Sequence, residues 1–284
     1  MAKILYGAPV KEKIKAELIE RIKKLKKTPV LAIVQVGDRE DSNVYIRQKQ
    51  KFGEEIGVKI QYVKITPSER YQKDEEVILK EIKKLNEDEN INGIIVQLPL
   101  PENIDTQKII NLVDIKKDAD GLSSLSILMP ATARGVMALL DFYKIETKGK
   151  KIAVVGQGIL AGQPIGNELE KRGAEVCRCD ILTSNIPEIA RDCDILISAV
   201  GKADLITKEF VNKEQVVIDV GINRTSPPAP LLDAGEGRNE KSQLVGDVNF
   251  AEVEPRVSAI TPVPGGVGPL TVVCLFQNLI DLSE

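Results

Sequence analysis

Tyr45 and Lys49 stand four residues apart, and Phe52 and Ile56 continue the same row. A helix over Asp41 to Gly57 therefore sets an amine inside its own apolar stripe. A lysine held against apolar surface loses hydration, so its ammonium is disfavoured and it can exchange protons near neutrality. The same spacing also suits a lysine that lays its methylenes on the stripe and keeps its head in water. The chain has no histidine, which removes the commonest general base and the commonest metal ligand together. Ser-His-Asp catalysis and histidine-ligated metals are thereby excluded, and the four cysteines show no metal-ligand spacing.

A second group surrounds a glycine turn. Lys151 to Val155 reads as a strand, Gly156-Gln157-Gly158-Ile159-Leu160-Ala161-Gly162 as a turn, and Pro164 to Arg172 as a helix with proline near its start. Strand, glycine turn and helix form a mononucleotide-binding unit: bare backbone approaches a pyrophosphate at the positive end of the helix. A purely structural turn is the other reading. The next strand, Glu175 to Cys179, ends at Asp180, where a carboxylate can accept from the adenosine ribose hydroxyls. A carboxylate there repels a ribose phosphate, which favours NAD over NADP, although neighbouring Arg178 would partly offset it. Alternatively Asp180 caps the loop Ile181 to Ser184.

These residues need a scaffold, and the chain supplies alternating helical and extended patterns. Val10 to Lys26, Ser42 to Ile56, Asp74 to Leu85 and Thr106 to Val113 read as helices; Pro29 to Val36, Lys59 to Ile65 and Asn92 to Gln97 read as strands. Helices between strands imply parallel pairing and an α/β architecture. Gln97, at the carboxyl end of its strand before Leu98 and Pro99, points to a ligand crevice or caps a turn. After Ser123-Ser124-Leu125-Ser126 and a helix over Gly135 to Tyr143, a second unit continues with strands Asp194 to Val200 and Val216 to Val220, each followed by glycine. Arg224 to Gln243 reads as a surface excursion, and a proline-glycine turn, Thr261 to Pro269, precedes an apolar helix, Leu270 to Leu282.

Lys and Arg number 39 against 42 Asp and Glu over 284 residues, so neither nucleic acid nor an anionic membrane is the expected partner. No apolar run reaches the roughly 20 residues of a membrane span, and the first residues lack a secretory pattern. A cytoplasmic location is the expectation.

Val36-Gly37-Asp38, Ser42-x-x-Tyr45-x-x-x-Lys49, Gln97-Leu98-Pro99-Leu100-Pro101, Lys117-Asp118-Ala119-Asp120-Gly121, Gly246-Asp247-Val248 and the Pro262 to Pro269 turn occur in this order. Together they resemble the bifunctional methylenetetrahydrofolate dehydrogenase/methenyltetrahydrofolate cyclohydrolase family across nearly the whole chain. The resemblance implies two α/β domains, the second a Rossmann-like parallel sheet, with the C-terminal helix returning to the first. On this basis the expected domains are 1–122 plus 265–284 for folate and catalysis, and 123–264 for the dinucleotide. It implies a homodimer acting on one-carbon derivatives of tetrahydrofolate, with Lys49 central, Tyr45 flanking the folate, Gln97 tuning the lysine and Asp120 anchoring the pterin. Ser42, Leu98, Pro99, Pro264, Gly265 and Gly266 join Tyr45, Gln97 and Asp120 as substrate-binding candidates. Gly156, Gln157, Gly158, Ile159, Gly162, Asp180, Val200, Gly201, Gly221, Ile222 and Thr132 are the cofactor-binding candidates, and no metal is expected.

The pattern departs from the family in three places. Gly156-Gln157-Gly158 stands where the family usually has Gly-Arg-Ser, losing an arginine suited to phosphate, which agrees with NAD. Pro130-Ala131-Thr132-Ala133 replaces Pro-Cys-Thr-Pro, and the segment after Gly121 is shorter and lacks the usual histidine. An NAD-dependent monofunctional dehydrogenase, or a folate- or dinucleotide-binding protein without catalysis, would share most of these residues.

Overall fold

The computed structural model describes residues 1–66, 71–224 and 243–284. The elements run β1 (Lys3–Ile4), α1 (Gly7–Ile22), β2 (Val30–Val36), α2 (Glu40–Ile56), β3 (Lys59–Ile65), α3 (Tyr71–Glu87), β4 (Gly93–Val96), α4 (Thr106–Ile110) and α5 (Ala131–Phe142). They continue with β5 (Lys151–Val155), α6 (Gly162–Lys171), β6 (Glu175–Cys179), α7 (Ile186–Arg191), β7 (Ile195–Ser198), β8 (Val216–Asp219), β9 (Asn223–Arg224), β10 (Leu244–Val245), α8 (Phe250–Val253), β11 (Ala259–Ile260) and α9 (Gly268–Asp281). The expected excursion from Arg224 to Gln243 lies, apart from its two end residues, outside the described residues.

The chain forms two compact units, one of Lys11–Gly135 with Thr271–Glu284, the other of Met1–Val10 with Val136–Leu270. In the first, three parallel strands lie in the order β3-β2-β4. The apolar run of β2 is buried along nearly its whole length, as expected of a parallel strand covered on both faces. On one face Ala32, Val34, Ile94 and Val96 pack with Ile78 and Ile82 of α3 and Ile109 of α4. On α2, Gly53 approaches Ile60 of β3 and Phe276 of α9, and the Phe52 and Phe276 rings stand 5.2 Å apart. The C-terminal helix thus belongs with the early part of the chain, as the resemblance implied.

The second unit is a six-stranded parallel sheet in the order β1-β11-β8-β7-β5-β6. Strand order reverses around β5, with β6 on one side and β7 on the other, the arrangement that opens a ligand crevice at the carboxyl edge. Ala153, Val155, Leu196, Val217 and Ile260 form one buried layer with Val253 and Val257.

The folded units and the expected domains 1–122 plus 265–284 and 123–264 differ at their edges. The first ten residues belong with the later sheet because β1 pairs with β11, Lys3 opposite Ala259 and Ile4 opposite Ile260. Residues 265–270 belong there too, since the Gly7 N–H donates to the Gly265 carbonyl at 2.8 Å. β1 and β11 have two residues each, too few for a period-two pattern to be visible in the sequence.

Candidate functional site

Lys49 lies on α2, and the helix is held where it must be to bury it. Glu40 and Asp41 occupy its first turn, favourable at the positive end of the helix dipole. Its last turn closes on Gly57, at φ 84°, with Gly57 N–H donating to Glu54 O and Val58 N–H to Gly53 O, a Schellman termination that uses glycine's left-handed freedom. The Lys49 side chain is only 8% exposed. Its Nζ donates to Gln97 Oε1 at 3.0 Å, and Gln97 Nε2 donates to Leu98 O at 2.8 Å. The amide is therefore oriented by the backbone just beyond β4 and presents oxygen to the amine.

Burial drives the Lys49 ammonium below its ordinary range, and the Asp120 carboxylate partly restores it. Conversely, burial raises Asp120 while Lys49 holds it down and Asp118 adds a further upward push. Lys49, Gln97 and Asp120 are thus one electrostatic group in one unit, with Tyr45 half-buried one helical turn before Lys49. Ser42 is buried at the start of α2, Leu98 is half-buried and Pro99 is exposed, following a cis peptide bond.

The turn carrying Asp120 is fastened by residues that spacing did not single out. Asp118 is buried, and its carboxylate accepts from Gly121 N–H and Ser123 N–H, each at 3.0 Å. Asn278 of α9 donates to the carbonyls of Ala119 and Met129, both at 3.0 Å, and accepts from Arg134 at 2.6 Å. Their signal was weak because an aspartate in a polar loop is ordinary, and Asn278 is 159 residues from Ala119.

In the other unit, Pro264, Gly265 and Gly266 form a tight turn, with Gly265 at φ 110°. The cofactor candidates other than Thr132 lie around the carboxyl edge of the sheet. Gly156, at φ 94°, and Gly162 are packed so closely that a Cβ on Gly162 would lie 1.8 Å from Gly156 O. Gly158 and Gly201 instead border open space, which leaves bare backbone at the ends of β5 and β7. Ile159, Val200 and Ile222 are exposed apolar side chains on that edge, and Gly221 is buried. Glycines packed where the turn must be tight and open where a ligand would approach are what a dinucleotide needs. Thr132 belongs to the first unit, in the first turn of α5.

Asp180 caps its loop: its Oδ1 accepts from Leu182 N–H at 2.9 Å and Thr183 Oγ1 at 3.0 Å. It remains exposed at the end of β6. Two buried carboxylates behind the sheet edge were given no role from the sequence: Asp247, present only within a motif, and Asp219. Asp247 accepts from Ser198 Oγ, Val200 N–H, Gly201 N–H, Lys202 N–H and Asn223 Nδ2 at 2.7–3.2 Å. Asp219 accepts from the backbone N–H groups of Gly221, Asp247 and Val248 at 2.9–3.1 Å. Burial nevertheless pushes the Asp219 carboxyl up to about 7, against those donors. Their glycine neighbours are required, because a Cβ on Gly246 would lie 1.9 Å from Asp219 Oδ2 and one on Gly221 would lie 2.1 Å from Asp247 Oδ1. Among the described residues no group of three acidic or cysteine side chains is arranged to hold a metal, and no helix is long and apolar enough to cross a membrane.

Known proteins match the chain along nearly its whole length. Residues 5–120 match the tetrahydrofolate dehydrogenase/cyclohydrolase catalytic domain and residues 130–284 the NAD(P)-binding domain of the same family. A bifunctional protein FolD of Lysinibacillus sphaericus is 41% identical over 293 residues, covering 99% of this chain and 97% of that one. The solved structure of the Campylobacter jejuni FolD methylenetetrahydrofolate dehydrogenase/cyclohydrolase superposes with a TM-score of 0.90 at 33% identity, covering 100% and 99% of the two chains. A Trypanosoma brucei relative, solved with NADP and an inhibitor, gives 0.89 at 32% identity and covers 99% and 97%.

Proposed function

This chain belongs to the tetrahydrofolate dehydrogenase/cyclohydrolase family, and we propose that Lys49, Gln97 and Asp120 form the reaction centre for its two successive steps. The chain oxidises 5,10-methylenetetrahydrofolate to the 5,10-methenyl cation with NAD(P) and hydrolyses that cation to 10-formyltetrahydrofolate. A nicotinamide dinucleotide, when bound, supplies the acceptor for the hydride that leaves the one-carbon bridge. The chain's own contribution to that step is alignment. Gly156, Gly158 and Gly162 would take the pyrophosphate, and the loops ending β7 and β8 would line the rest of the dinucleotide. Tyr45 flanks the folate, and Asp120, as carboxylate, accepts from the amino-pyrimidine edge of the pterin.

In the hydrolytic step water adds to the methenyl carbon and loses a proton. The carbon's bond to N5 then breaks as N5 takes up a proton and the added hydroxyl gives up its own to become the formyl carbonyl on N10. Two protons thus leave the added water, N5 takes one, and one is released overall. Lys49 is the group able to take the first proton from water and deliver one to N5, because burial lowers its ammonium from its ordinary range. Gln97 supports this by accepting from Nζ and fixing its direction. The observation that carries the reading is the buried 3.0 Å contact between Lys49 Nζ and Gln97 Oε1 beside Asp120. Lys49→Ala is expected to lower methenyl hydrolysis by about 10²–10⁴-fold, the usual weight of a general acid–base group. Hydrolysis at the wild-type rate would remove Lys49 from the mechanism.

NAD is the preferred dinucleotide in this reading, on the strength of the exposed carboxylate of Asp180 at the end of β6 and of Gln157 in place of a phosphate-binding arginine. The acting form is a cytoplasmic homodimer, supported by the family resemblance; light scattering on the purified chain measures the assembly directly.

A further inference from the structure

Arg178, two residues before Asp180, is a cation placed to welcome a 2′-phosphate, and its surroundings decide whether it is available. The side chain lies on β6 and turns toward α6. Its Nε donates to Glu170 Oε1 at 3.2 Å and its Nη2 to Glu170 Oε2 at 2.9 Å, a fork-on-fork ion pair. Nη2 also donates to Asn167 Oδ1 at 2.8 Å, and Nη1 reaches Gln157 Oε1 at 3.3 Å and Gln163 O at 3.5 Å. A guanidinium has five N–H donors, and five acceptors surround this one. It is seated on bare backbone as well: a Cβ on Gly166 would lie 2.7 Å from Nη1 and 2.9 Å from Cζ.

We propose that Glu170 is a specificity-determining residue that excludes the 2′-phosphorylated dinucleotide by clasping Arg178 against α6, so that no N–H is left to receive a phosphate. This rests on the NAD preference given above and extends it from Asp180, which repels, to Glu170, which withholds the compensating cation. Gln157 takes part on the other side. It stands in the glycine turn where an arginine would bind phosphate, and its amide instead spans Val154 O, at 2.9 Å, and Arg178. The turn residue and the strand residue therefore satisfy each other rather than a ligand. Neither Glu170 nor Arg178 is needed for the polar contacts of Lys49, Gln97 or Asp120, which belong to the other unit.

The test is calorimetric titration of NAD and NADP into the full chain and three variants, with methenyl hydrolysis measured alongside. The wild type is expected to bind NAD more tightly. Glu170→Ala is expected to tighten NADP binding about tenfold, the effect of one freed charge-assisted contact, with NAD binding and hydrolysis unchanged. Glu170→Gln should fall between. Because removing a carboxylate also relieves repulsion, the double variant Glu170→Ala with Arg178→Ala separates the two effects, and the gain should vanish there. NADP affinity unmoved in Glu170→Ala, a gain that survives in the double variant, or a parallel loss of both dinucleotides would each overturn the clasp. A wild type that binds NADP at least as tightly as NAD would instead remove the NAD preference, and the clasp with it.

Discussion

At the scale of single residues the question is how an amine surrounded by methylenes keeps a useful charge balance. Burial lowers Lys49, and Asp120 opposes that change. Removing the carboxylate therefore lets Lys49 fall further. With the neutral amine as the proposed base, the acid limb of kcat for methenyl hydrolysis should move to lower pH in Asp120→Asn, while loss of the proposed pterin contact should raise KM. A limb that stays put, or moves to higher pH, would show that the two groups are not coupled as described. Spacing showed Tyr45 and Lys49 on one helical stripe and Gln97 at a strand's end, but their association with Asp120 was implied only by the family resemblance. Asp118 and Asn278 were not singled out, because what they do depends on carbonyls and amides brought to them by the fold. Arg178 was noticed as a charge, but its saturation was not, since its acceptors are 8 to 21 residues away along the chain.

At the scale of elements, the glycine turn between β5 and α6 separates residues that the fold needs from residues that a ligand needs. Gly162 has no room for a methyl, with Gly156 O in the way, whereas Gly158 has open space. Gly162→Ala should destabilise the chain by about 1–3 kcal/mol, the usual cost of overpacking a tight contact. Gly158→Ala should leave the melting temperature close to wild type yet weaken NAD binding, because the new methyl occupies the approach. A melting curve and a titration on each variant check both halves, and equal behaviour of the two would contradict the distinction. The sequence showed the turn plainly but not this division of labour, which depends on Ala199 and Gly156 carbonyls set by neighbouring strands. Helix ends were also shifted by a few residues: α1 starts at Gly7 and stops at Ile22 where periodicity suggested 10 to 26, because the charged tail after Ile22 has no core to cover.

At the scale of the whole molecule, folding stability should carry a signature of the buried acid behind the dinucleotide loops. Asp219 is 2% exposed, faces Asp247, and its carboxyl is pushed up to about 7. A carboxyl raised in the fold favours the protonated native state. Its contribution is full below the ordinary aspartate value of about 4 and is lost as pH rises through about 7. Asp219→Asn, which cannot ionise, should therefore flatten the fall in stability across that interval relative to wild type, whatever the variant's absolute stability. Denaturant midpoints measured from pH 4 to 8 on both proteins provide the comparison, and parallel curves would contradict the assignment. The alternating α/β rhythm was enough to foresee parallel sheets, while the return of the last helix was implied by the family resemblance and not by the rhythm. Neither was enough to place the first strand, whose two residues carry no pattern and acquire their position only from β11.

That first strand and the last helix between them make both units discontinuous in sequence. The sheet that would hold the dinucleotide is completed at one margin by the amino terminus, while the carboxyl terminus supplies a wall of the other unit. No single cut yields either half whole: a fragment starting near residue 130 would carry an orphaned final helix and leave β11 as an unguarded margin, ready to recruit a stray strand. Loss of a handful of residues at the front would thus injure the half that is made last.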